Sequence, residues 1–157
     1  MKKEITYKEL QKFDNAATAY LVRAGYFTMA VPAMNGEAAK PGAWTTEKPT
    51  KLVLNIKNLV KQASKHFEEY SELRNDICLD NCLIDDKTKA VLYNENGSYQ
   101  FSKDGLKKTN QEIKDLSNKT IEIHTRITEG DFDLTTEEKE AFSDIVIPEF
   151  TPEEETD

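Results

Sequence analysis

Behind Thr6, apolar residues recur at steps of three and four. Leu10, Phe13, Ala17, Tyr20, Leu21 and Ala24 fall on one face of a helix. Thr6 and Glu9 have the spacing of a capping box, in which the hydroxyl accepts from a backbone N–H and the carboxylate reaches back. Gly25 tolerates the left-handed conformation that ends helices. The pattern predicts a helix over about residues 7–24. A second, longer stripe runs through Leu52, Ile56, Leu59, Val60, Ala63, Phe67, Tyr70, Arg74 and Ile77, with charged residues on the other faces. A stripe of that length has to be buried against something, and the first helix is the expected partner.

The period then changes. Residues 82–85, 90–93 and 98–101 are short β-favouring pieces separated by "DDKTK" and "NENG". Asn96-Gly97 is a hairpin signal because both residue types tolerate positive φ. Ser102 is a candidate N-cap for a third helix, with Leu106, Ile113 and Leu116 as its apolar stripe, ending near Asn118. "TIEIHTRI" alternates, with Ile121, Ile123 and Thr125 on one side and Glu122, His124 and Arg126 on the other. That is a half-buried strand. Thr135 and Glu138 form a second capping box, opening a helix over 136–143, and "DIVIPEF" reads as an extended piece halted by Pro148. The expectation is one α+β domain over residues 1–147, with two long packed helices, a third helix and a small antiparallel hairpin or sheet.

Two stretches stand apart from this body. Residues 26–50 hold three prolines and two glycines with no sustained period, which predicts a protruding loop. The loop carries Met29, Val31, Met34 and the only tryptophan, Trp44. Met and aromatic side chains on a loop suit contact with another protein. Trp44 has a second reading, as a lid folded over the domain's own core. Residues 148–157 form an acidic tail. Residues 129–157 hold 12 Asp and Glu against one Lys, a net −11, so residues 1–128 carry +3 of the overall −8. Such a tail repels a phosphate backbone and argues against nucleic acid as partner, despite the lysine row at 57, 61 and 65. It is attracted to basic protein surfaces, its own included. Phe150, Glu153, Glu154 and Glu155 are its candidate contact residues.

Leu, Ile, Val and Phe total 35 residues, about 22% of the chain, which predicts a modest core. No apolar run approaches the length of a membrane span. The start "MKKEITYKEL" has no apolar core of a signal peptide.

Candidate chemistry concentrates in "DICLDNCLIDD", residues 76–86, where both cysteines sit among four aspartates. Three residues separate Cys78 from Cys82, one more than in redox pairs. Zinc needs two further ligands, and His66 and His124 lie at spacings unlike zinc patterns. Calcium loops alternate oxygen ligands around a glycine, whereas Cys82-Leu83-Ile84 interrupts these aspartates. The preferred reading is that the cysteines are small buried apolar residues and Asp85 and Asp86 are turn formers. Neither histidine has a nucleophile context, and no glycine-rich phosphate loop is present. The expectation is a non-enzyme with no cofactor, no metal and no catalytic residues. A site built from His124, Glu122 and the acidic turn is the enzymatic alternative.

The run from "LNIKNLVKQASKHFEEYSELRNDI" through "LIDDKTKAVLYNENGSYQFSKDGLKKTNQEIKDLSNKTIEIHTRI" resembles a group of small proteins encoded by tailed bacteriophages. The shared layout is a helix with a late arginine, an acidic turn, a short hairpin, a helix and an alternating strand. Arg74, Asp85-Asp86, Tyr99–Phe101, Leu116 and Ile121-Glu122-Ile123 occupy the matching positions, within about residues 50–145. The 26–50 excursion and the acidic tail depart from that layout. The resemblance implies a virion structural or assembly protein of the capsid, neck or tail, assembled in the bacterial cytoplasm. Its partners would be copies of itself or other virion proteins, without a membrane. The alternative is a soluble phage regulator that blocks a host protein through its acidic C-terminal segment.

Overall fold

The computed structural model describes residues 1–45 and 48–151. Four helices and two small antiparallel sheets make it an α+β protein. In chain order the elements are β1 (Lys2–Thr6), α1 (Tyr7–Arg23), β2 (Phe27–Thr28), β3 (Ala43–Trp44), α2 (Lys51–Asn81), α3 (Lys103–Ser117), β4 (Thr120–His124) and α4 (Thr136–Phe142). β1 pairs with β4, and β2 with β3. No helix among the described residues is long and apolar enough to cross a membrane.

The chain forms two compact units. The first comprises residues 1–5, 9–63 and 122–157, and the second residues 6–8 and 64–121. The first contains nearly all the core. Leu10, Phe13, Ala17 and Leu21 of α1 are buried, as are Leu52, Val53, Ile56, Leu59 and Ala63 of α2. Phe142 of α4 closes this core, its ring 5.4 Å from that of Phe13 and 6.1 Å from that of Tyr20. α1 ends as predicted. Gly25 has φ +83°, the Tyr26 N–H donates to the Leu21 carbonyl at 2.8 Å and the Gly25 N–H to that of Val22 at 3.2 Å, a Schellman cap.

Met1 and Thr125 exchange both backbone hydrogen bonds, fixing the antiparallel register of β1 and β4 in this unit. β1 itself was not expected. "KKEIT" has one buried apolar residue, Ile5, and the helical pattern that follows it dominates the window. His124 lies next to Thr125, so its backbone groups point away from β1. The Gln62 side chain of α2 takes both of them, donating to the His124 carbonyl at 2.8 Å and accepting from its N–H at 2.9 Å.

"DIVIPEF" is not extended. Ser143 and Ile147 form a bridge around a tight turn in which Asp144 has φ +59°, and Ile145, Val146 and Ile147 are all buried. Three consecutive apolar residues can be buried by a turn because no period constrains them. The Thr125 hydroxyl donates to the Ile145 carbonyl, and Lys3 Nζ bonds the Asp144 carboxylate at 2.6 Å, pinning the turn.

The capping box on α4 forms as predicted, with Thr135 and Glu138 bonding each other's backbone. Glu138 does more. Its side chain is 3% exposed and its two oxygens accept from both terminal nitrogens of Arg23 at 2.6 Å each. Burial works to raise the Glu138 pKa. The Arg23 hydrogen bonds, the backbone N–H bond within the cap and the Arg23 charge together outweigh burial and hold it below the ordinary carboxylate range. Burial acts unopposed on Asp14, whose pKa is raised.

The second unit has a thin core. Tyr7, Thr109 and Leu116 are its buried residues, and the Tyr7 ring sits 5.1 Å from that of Tyr70. α3 begins at its predicted cap, with the Ser102 hydroxyl accepting from the Gly105 N–H. Its inner face differs from the predicted stripe. Thr109 and Leu116 are buried, while Leu106 is exposed. Gly105 supplies the reason, since a Cβ there would lie 2.9 Å from the Asn81 carbonyl oxygen. The close approach of backbones turns this side of the helix inward, and Leu106, one position on, faces out. Residues 83–100 form a meander in which Leu83 N–H donates to Gln100, Leu92 to Leu83 and Gln100 to Leu92. At its tip Gly97 has φ +85° and donates to the Asn94 carbonyl.

Candidate interaction surface

Within the segment expected to be a loop over 26–50, residues 27–44 form a β-hairpin arm. Phe27 pairs with Trp44, Thr28 with Ala43, Val31 with Lys40 and Met34 with Glu37, one constant register from base to tip. Asn35 and Gly36 join the two sides with φ +49° and +83°, a two-residue type I′ turn. The Glu37 N–H closes it on the Met34 carbonyl at 2.9 Å. Pro32 and Pro41 have no N–H to give, so the ladder is interrupted between the bridges. This is why strand periodicity is weak in the sequence. The signal that could have revealed the arm is "MNGE", the same Asn-Gly chemistry recognised at 96–97.

The base of the arm is fixed by four contacts. The Thr45 N–H donates to the Tyr26 carbonyl at 3.0 Å, and the Thr45 hydroxyl to the Gly25 carbonyl at 2.8 Å. The Phe27 and Trp44 rings meet edge to face at 5.3 Å, and Lys57 Nζ of α2 sits 4.6 Å from the centre of the Trp44 ring. Trp44 is therefore a seam residue, 38% exposed, held from two sides by its own unit. Gly42 makes room for this packing, because a Cβ there would lie 2.8 Å from the Phe27 ring. Gly42→Ala should displace the ring. The expected outcome is a red-shifted Trp44 fluorescence with unchanged helical circular dichroism, and an unshifted spectrum would show that Phe27 does not depend on this glycine.

Beyond the base, the arm is exposed along its length from Thr28 to Thr45. Met29, Val31 and Met34 present apolar side chains at 52%, 47% and 60% exposure. Glu37 and Lys40 are the only charged residues between 26 and 45, in a chain that is 32% charged overall. A ribbon with so few charges, exposed apolar side chains and unfilled hydrogen-bonding edges is suited to pairing with another chain.

The other candidate residues are placed as follows. Phe150 is half-buried, its N–H donating to the Ser143 hydroxyl at 2.7 Å and its ring receiving Lys139 Nζ at 5.6 Å. It belongs to its own unit's surface. Glu153, Glu154 and Glu155 lie outside the described residues.

Cys78 and Cys82 are both free thiols and half-buried, not fully buried as expected. α2 runs on to Asn81, so Cys82 directly follows the helix, its N–H bonded to the Cys78 carbonyl. Asp85 is a turn former, accepting from the N–H groups of Lys87 and Thr88. The Thr88 and Lys87 backbone bonds hold its pKa below the ordinary range. Nε2 of His124 lies 3.8 Å from the Glu122 carboxylate, both exposed. Among the described residues no group of three His, Cys, Asp or Glu could hold a metal ion. Sequence reasoning also missed that the second unit exposes Leu79, Leu83, Ile84, Tyr93 and Leu106. Three strand pieces this short cannot cover the apolar residues beside them.

Comparison with protein-family models, with curated proteins and with solved structures returns no match for this chain.

Proposed function

We propose that this chain is a non-enzymatic assembly protein, a repeated subunit of a tailed-phage particle that grips its neighbours through the 26–45 arm. The arm carries the reading: it is long, almost free of charge and exposed, yet it is fastened at its base by the Trp44 seam. An arm held at one end only serves contact with another molecule better than it serves the unit's own stability. The phage context rests on the layout of residues 50–145 described above. Three cavities among the described residues are lined mainly by charged and polar side chains, a composition suited to binding faces.

The test is light scattering after size exclusion on the wild-type chain and on Met29→Asp/Val31→Asp/Met34→Asp. The expected outcome is a higher-order species for the wild type, a monomer for the triple variant, and superimposable far-ultraviolet circular dichroism. A wild-type monomer at high concentration that forms a one-to-one complex with a bacterial host protein, and is missing from purified virions, would establish the regulator instead.

A further inference from the structure

Both cysteines lie in the second unit, where α2 runs out, and both thiols are free and half-buried. The Cys82 N–H donates to the Cys78 carbonyl at 2.9 Å, so the helical turn continues through Cys82 and sets the two side chains one above the other. The Cys82 thiol donates to the Leu79 carbonyl at 3.4 Å and so points back over the turn that carries Cys78. Asn75 is on the same face, and its side-chain oxygen accepts from the Tyr99 hydroxyl at 2.7 Å, which brings Tyr99 alongside the thiols. Burial raises the Tyr99 pKa, and the charges of Tyr93, Cys78 and Cys82 raise it further, so both sulfur atoms share the neighbourhood of one ring. The surroundings favour a cation. Unpaired carbonyls at the C-terminal end of a helix carry partial negative charge. Asp76 and Asp80, interleaved with the cysteines, make no ion pair among the described residues.

We propose that Cys78 and Cys82 form a chelating dithiol site for a monovalent thiophilic cation of the copper(I) class. Ligand count decides the metal. Zinc completes a set of four ligands, and among the described residues no third His, Cys, Asp or Glu joins the pair. Copper(I) is soft and selects thiolate sulfur. Two thiolates in line satisfy it, so a pair is a complete site. Cβ atoms one helical turn apart are separated by about 5–6 Å, a span that two thiolates and a linear sulfur–copper–sulfur unit bridge when both side chains lean the same way. The cation displaces one proton from each thiol, so each copper(I) bound releases two protons. Half-burial suits this chemistry: it admits a metal delivered by a small chelator or another protein, and it limits contact between thiols of different molecules. This inference is independent of the arm and of the phage reading.

The experiment is an anaerobic titration of the reduced full-length chain with copper(I) held by a chromophoric chelator, followed by X-ray absorption at the copper edge. The expected result is one copper(I) withdrawn per chain, with two sulfur neighbours. Cys78→Ser and Cys82→Ser should each weaken binding by more than the roughly 10–100-fold that an altered outer-shell partner costs, with unchanged circular dichroism. The wild type gives a reading that needs no variant. Its affinity should fall about 100-fold for each unit of pH below the thiol range, because two protons are displaced. A fall of about tenfold per unit, as for one thiol, would overturn the proposal, as would fewer than two sulfur neighbours at the copper. Recovery of binding when the two single variants are mixed would also overturn it, since the thiols would then act from separate chains.

Discussion

Phe142→Ala should destabilise the first unit by about 4 kcal/mol, the cost of deleting a large, fully buried ring from a core that cannot collapse around the space. Phe142 is 0% exposed and packs on both Phe13 and Tyr20, so its loss strips ring contacts from two turns of α1 at once. Its position near the end of a seven-residue helix adds to the effect, because α4 has no other side chain of that size holding it to the core. Urea denaturation followed by circular dichroism measures the change. Phe142→Leu, which keeps most of the volume, should cost much less, about 1 kcal/mol. Equal losses for the two variants would mean that ring packing is not what fixes α4.

Glu138→Ala should cost about 3 kcal/mol at neutral pH, since it removes a buried carboxylate together with one half of a capping box. Three elements meet at this group: the end of α1 through Arg23, the cap of α4 through Thr135, and the segment before the cap through the Asp133 carbonyl, which accepts from Arg23 at 2.8 Å. The folded-state pKa of Glu138 lies below its unfolded value. Its contribution is therefore complete above the unfolded carboxylate value of about 4.3 and is lost as pH falls through the lower, folded value. The stability gap between the wild type and Glu138→Gln should accordingly narrow on acidification across that window. Asp14 acts in the opposite direction. Its raised pKa means the folded state holds that proton more tightly, so its unfavourable contribution appears as pH rises through the carboxylate range. A gap that stays constant down to strong acid would show that the Glu138 effect is packing rather than charge.

Helix boundaries were legible wherever capping chemistry marked them. Ser102, Thr135 and Gly25 each specify a local backbone bond that needs no knowledge of the rest of the fold, and all three make it. The alternating strand at 120–124 was legible for the same reason, with one face buried through Ile123 and the other wet. Burial along α2 was legible only to Ala63. The stripe continues in sequence through Phe67, Tyr70 and Ile77, but those side chains are half-buried because the second unit supplies little to cover them. The arm was illegible for a more instructive reason. Its turn carries the same Asn-Gly dipeptide as residues 96–97, here with both Asn35 and Gly36 at positive φ. Yet prolines on both sides erase the alternation by which strands are recognised. At Asn96-Gly97, where the alternation is clearer, Gly97 alone has positive φ, and the turn is longer.

Gln62 has a consequence for the molecule's behaviour in a crowded solution. With the His124 amide and carbonyl both occupied by one side chain, the end of β4 offers a stray strand no free backbone pair at that position. A single glutamine thus closes by mimicry one point at which sheet growth would otherwise begin.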